Sequence, residues 1–186
     1  VKTRKVLKIA APIMVASLVF APIASPISAY ASENESIVSP KLESEATEIL
    51  NSINIEQLQN QAKQMGTYDS EGNVTITDSK LVRLMQSQNI QIPVELKKAV
   101  IQRKADVTKV VRKNGYTTFY LSATTASAIC GGSIAAAMFL TAITGGLGFQ
   151  LAIIVVSTVS SMSWSYMKGG IWLKFKGLKL VSKGKQ

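Results

Sequence analysis

The chain has 186 residues, 47% of them hydrophobic, and a formal net charge of +10 with no histidine and one cysteine. Those counts exclude histidine-based zinc sets, an internal disulfide and histidine-mediated proton transfer, so the composition predicts neither an enzyme nor a metal or cofactor site. Charge is unevenly spread: residues 32–80 hold nine acids against three bases, residues 81–120 two against eight, and residues 121–186 six lysines and no acid. An acidic head therefore precedes a basic, apolar body that it can attract and keep soluble.

Lys2, Arg4, Lys5 and Lys8 open the chain, an apolar run from Ile9 to Phe20 follows, and Ala29-Tyr30-Ala31 fits the small-x-small rule for cleavage before Ser32. Residues 1–31 are thus expected to be a secretory signal peptide, and the protein to be extracellular.

In the head, Leu42, Ala46, Ile49, Leu50, Ile53, Leu58, Ala62 and Met65 recur at three- and four-residue spacings, which predicts one amphipathic helix ended by Gly66. Residues 68–77 combine Asp, Gly and Asn with a β-branched alternation, as in a short hairpin or loop, and lack the spacing of a calcium loop. Asp78 is the expected N-cap of a helix over residues 79–88, and Pro93 opens another that is expected to run to Lys113. Along that helix Lys97, Lys98, Arg103, Lys104, Lys109, Arg112 and Lys113 are free for solvent or an anionic surface. Residues 32–113 form, on this reading, a charged helical pro-region, acidic and then basic.

Between Lys113 and Lys168 there is no Asp, Glu, Lys, Arg or His, and the last acid of the chain is Asp106. Roughly 20 apolar residues cross a bilayer core as a helix, and this tract has room for two. Gly145, Gly146 and Gly148 supply a hinge between Thr118–Ile143 and Phe149–Met167. The fold expected is mainly α: the pro-region, then an apolar helical hairpin over residues 114–186, flanked by short β-strands at residues 116–121 and 171–181. The same residues equally suit a soluble domain with two buried core helices. Cys130, among Ala128, Ile129, Gly131 and Gly132, is a small packing residue.

Trp164, Tyr166, Lys168, Trp172, Lys174, Lys176 and Lys179 straddle the end of the second apolar segment, in the manner of aromatic and lysine anchors at a membrane interface. Export would leave Lys113 and Lys168 outside, which disfavours a resident span and favours approach to an anionic leaflet from its outer side. Gly132 and Ala136, or Ser133 and Ala137, permit close helix pairing, so self-association is expected alongside anionic membrane lipid as a partner. Nucleic acid is not expected, because no reading module is present.

The Ala29-Tyr30-Ala31 site, the Arg112-Lys113 junction, the Ile129-Cys130-Gly131-Gly132-Ser133-Ile134-Ala135 segment with its later glycine break, and the lysine-rich tail together resemble secreted bacteriocin precursors of Gram-positive bacteria, of closticin-like or sporulation-delaying-toxin-like architecture. The resemblance implies processing near Arg112-Lys113, with Arg103-Lys104 as another basic pair that could serve, and an antibacterial C-terminal hairpin that permeabilises anionic membranes. The cysteine pair of sporulation-delaying toxins is not matched, since Cys130 stands alone. The second function consistent with these residues is a secreted or envelope-associated structural or interaction protein with a compact helical core.

Overall fold

A computed structural model describes residues 39–103, 106–145 and 148–186; the predicted signal-cleavage residues Ala29, Ala31 and Ser32 lie outside them. The head begins with α1 (Pro40–Ser52) and α2 (Ile55–Gln64), two helices where the periodicity predicts one. Asn54 divides them: its side chain accepts from Gln57 N at 2.9 Å, a local hydrogen bond that starts a new helix as it ends the old one. Next come β1 (Val74–Thr77), α3 (Asp78–Ser87) and α4 (Val94–Ile101). Thr77, not Asp78, caps α3, accepting from Lys80 N at 3.3 Å.

The basic helix expected to reach Lys113 stops at Ile101. Arg103 has φ 53°, and residues Val107–Lys113 form β2, the first strand of a hairpin with β3 (Tyr116–Leu121). Asn114 and Gly115, at φ 53° and 74°, make the two-residue turn, a geometry whose right-handed twist suits paired strands and which Asn-Gly adopts readily. β-Branched density in Val107-Thr108-Lys109-Val110-Val111 favours the strand over the helix.

The apolar tract is four short helices: α5 (Ala123–Cys130), α6 (Ile134–Ile143), α7 (Gly148–Ser160) and α8 (Trp164–Met167). The expected membrane hairpin is therefore absent, and no helix among the described residues is long and apolar enough to cross a membrane. Ser133 caps α6 after the Gly131-Gly132 break, and Ser163 precedes α8 after a break at residues 161–163. The chain closes with β4 (Ile171–Lys176) and β5 (Lys179–Lys185).

The mainly α expectation gives way to a mixed fold. Five strands form one antiparallel sheet in the order β1-β2-β3-β4-β5, with α3 and α4 inserted between the first pair and α5–α8 between β3 and β4. Val74, Ile76, Val110, Phe119, Leu121, Ile171, Leu173 and Phe175 point from the sheet into one core shared with the helices. Helix α6 lies at its centre, in contact with α1, α2, α3, α5 and α7, and every residue from Ile134 to Thr141 is buried. A helix apolar on all sides needs such cover, and here protein supplies it in place of lipid.

Three head and β2 side chains finish the C-terminal end of α6, where carbonyls lack helical partners. Gln59 Nε2 donates to Ala142 O at 2.9 Å, the Tyr68 hydroxyl to Ile143 O, and Arg112 Nη2 to Gly145 O at 3.1 Å. Burial raises the Tyr68 pKa, against the opposing pull of Arg112, so the hydroxyl remains a donor. Replacing Tyr68 with Phe strips the donor from a part-buried carbonyl and is expected to cost about 1–2 kcal/mol in denaturant unfolding; an unchanged midpoint would show that this tie carries no stability.

Candidate functional site: the open face of the sheet

Alternation along each strand sends one set of side chains into the core and the other to the opposite face, and no described helix covers that second face. Strand register arranges it in rows. Thr75, Lys109, Tyr120, Trp172 and Gly184 form one row across the sheet; Val111, Thr118, Lys174 and Ser182 the next; Lys113, Tyr116, Lys176 and Lys179 the third. The register shifts between Lys174 and Phe175, leaving Val181 unpaired between Leu180 and Ser182 and returning Lys179 to the open face. Five lysines thus share a surface with three aromatic rings, and none of the five strands contains an acid.

Two contacts hold the rings in place. Lys174 Nζ stands 4.5 Å from the centre of the Tyr116 ring, a cation–π pair across a diagonal of the sheet. The Trp172 indole lies on Gly184, where an added Cβ would be 2.6 Å from Cε2 and Nε1. Gly184 is therefore needed for close approach: strand backbone and indole occupy the volume that a side chain would take.

Of the interface residues expected from sequence, the fold brings Trp172, Lys174, Lys176 and Lys179 together on this face. Trp164, Tyr166 and Lys168 are elsewhere, on and just after α8; Trp164 is 57% exposed, and Tyr166 lies under Lys185 with Nζ 5.0 Å from its ring centre. The predicted processing pair, Arg112-Lys113, ends β2 beside the Asn114-Gly115 turn, with Arg112 N donating to Asn73 Oδ1 at 2.9 Å. The expected hinge glycines Gly145 and Gly148 flank the α6–α7 connection; Gly146 lies outside the described residues. Cys130 is half-buried at the end of α5 and free.

Sequence reasoning missed Tyr116 and Tyr120 as members of the face, and placed Lys109 and Lys113 on a helix. The signal in the sequence was the β-branched density of residues 107–111 followed by the Asn-Gly pair; the period of two appears only in the burial, with Thr108 and Val110 facing the core and Val107, Lys109 and Val111 outward.

A second polar cluster is enclosed between the helices and the sheet. The Asp78 carboxylate accepts at Oδ1 from Ser122 Oγ (3.1 Å) and Thr125 Oγ1 (3.2 Å), while Thr108 Oγ1 accepts from Ser122 N (3.1 Å) and Asp106 Oδ2 from Thr124 Oγ1 (2.9 Å). Asp78 Oδ2 is buried with no hydrogen-bond partner among the described residues. Burial raises the Asp78 pKa, with the Asp106 charge adding to it and the hydroxyl donors opposing it. The cluster ties α3 to the start of α5; Asp78, Thr108, Ser122 and Thr125 are buried, and Asp106 and Thr124 are half-buried at its edge. Comparison with protein-family models, with curated proteins and with solved structures returned no match.

Two predictions follow from these geometries. Gly184→Ala is expected to displace Trp172, destabilise the fold by about 1–3 kcal/mol and red-shift Trp172 emission in a Trp164→Phe background; emission identical to that of the Gly184 protein would refute the packing. A folded-state pKa above the unfolded value means that Asp78 favours folding most below about pH 4 and progressively less as pH rises through the raised value. Asp78→Asn keeps an acceptor for Ser122 and Thr125, and should remove that decline from the stability profile while leaving the acid end intact.

Proposed function

We propose that this protein is an exported, envelope-facing interaction module that lies on anionic membrane lipid through the open face of its sheet. The observation that carries the reading is the set of five lysines, Lys109, Lys113, Lys174, Lys176 and Lys179, on an uncovered surface without a single acid. Each lysine near an anionic leaflet contributes about 1 kcal/mol. Trp172, Tyr116 and Tyr120 add amphipathic rings suited to the headgroup level. The basic N-terminal segment with its Ala29-Tyr30-Ala31 motif supports export.

Permeabilisation by an apolar hairpin is not part of this proposal, because the segments that would form it are the core of the domain. Half-buried rings among lysines also suit single-stranded nucleic acid, where bases stack on free ring faces. Lys174 already covers the Tyr116 ring, which favours a flat lipid surface.

The test is sedimentation with vesicles. Native protein should bind mixed phosphatidylglycerol and phosphatidylcholine vesicles, bind pure phosphatidylcholine weakly, and lose affinity as salt rises. Lys174→Glu, Lys176→Glu and Lys179→Glu together are expected to weaken binding at least about 100-fold with little change in melting temperature. Equal binding by this variant would rule out the sheet face as the lipid contact.

A further inference from the structure

Helix α4 carries a second uncovered surface of different character. It packs on α3 and α5 through Leu96 and Ala99, which leaves Val94, Lys97, Lys98 and Ile101 on the solvent side, at spacings that stack on one helical face. Val94 is 53% exposed and Ile101 79%, the highest value for any large apolar side chain among the described residues. The only acid of α4, Glu95, belongs to another side: its Oε1 lies 3.3 Å from where a Cβ of Gly131 would be. Arg103, exposed and at φ 53°, turns the chain just past the helix end.

The turn leads back to the open face of the sheet. Asp106 O accepts from Asp78 N at 3.1 Å, and Val107, 37% exposed, opens β2 opposite Thr77. Six residues span at most about 20 Å, so the apolar end of α4 lies within that distance of Val107, where β2 begins. Exposed Ile101 and Val94 on a helical face that also carries Lys97 and Lys98, with Arg103 just past its end, complement a surface that is anionic outside and apolar a few ångströms deeper. A protein partner would more commonly bring a pocket to a buried cluster of apolar anchors.

Resting on the lipid-binding reading above, we propose that the outer side of α4, with Ile101 at its tip, inserts into the boundary between headgroups and acyl chains of an anionic bilayer, while the sheet lysines supply the approach. The two contacts differ in physics. Attraction through exposed lysines is screened by salt, whereas burial of Val94 and Ile101 is not.

Flotation of the full chain with mixed phosphatidylglycerol and phosphatidylcholine vesicles, at low and high salt, separates them. Val94→Ser with Ile101→Ser is expected to weaken binding about tenfold, remove the part that survives high salt, and leave the melting temperature unchanged because both side chains are exposed. Ile101→Trp is expected to tighten it. If the serine variant binds as the native chain does while the three-lysine sheet variant fails, α4 insertion is refuted and the sheet reading stands. No vesicle binding by the native chain overturns both. Inorganic polyphosphate is the control for a merely polyanionic site: an equal loss of polyphosphate binding by the serine variant refutes insertion.

Discussion

Everything in this fold depends on covering α6. Its ten residues present apolar or hydroxyl side chains in every direction, so no orientation offers water a polar face, and the helix must be enclosed by lipid or by protein. The chain chooses protein. Helices from the acidic head take one side, α5 and α7 others, and the carbonyls at its C-terminal end are satisfied by Gln59, Tyr68 and Arg112, residues far away in sequence. Segments on both sides of residue 113 are thereby joined in one core and one sheet, with β2 paired to β3 across the Asn114-Gly115 turn.

The sheet divides the consequences of that enclosure between its two faces. Inward residues such as Phe119 and Phe175, in edge-to-face contact with ring centres 5.9 Å apart, complete the core. Outward residues include five lysines and three aromatic rings set among Thr75, Val111, Thr118, Ser182 and Gly184, and the acids are on other elements. Among the described residues one ion pair is found, Lys41 with Glu45 at 3.8 Å within α1, which is exposed and contributes little. Lysines of the open face therefore repel one another uncompensated, a cost that a polyanionic surface would relieve.

Part of this was legible in the sequence and part was not, for identifiable reasons. Local chemistry placed the β3 strand, the end of α2 before Gly66 and the turn chemistry of residues 69–73, where Asp69 Oδ1 accepts from Glu71 N and Asn73 N. It did not foresee the division at Asn54, since a cap competes with an apolar stripe that continues past it. Lys109 and Lys113 were hidden because Val94 to Val111 satisfies a helical spacing loosely, while Val107, Val110 and Val111 do not alternate along the chain and only the paired strand turns Thr108 and Val110 to the core. Trp172, Lys174 and Lys176 were recognisable as sharing one side because alternation within one strand, β4, is a local property, whereas Lys179 joins them only through the pairing of β5. Their grouping with Tyr116 and Tyr120 needs the register between β3 and β4, which pairs residues more than fifty positions apart.

By itself the sequence determined the asymmetry of the molecule: where its acids end, where its uncharged tract begins, and which segments carry lysine and aromatic residues without acids. These are properties of composition along the chain, and no folding alters them. Only the tertiary structure decided whether the uncharged tract meets lipid or protein, because a fully buried core helix and a membrane-seeking one have the same apolar pattern. What separates them is the cover that distant segments provide, and that is settled by the contacts of α6 with α1, α2 and α3, not by α6 itself.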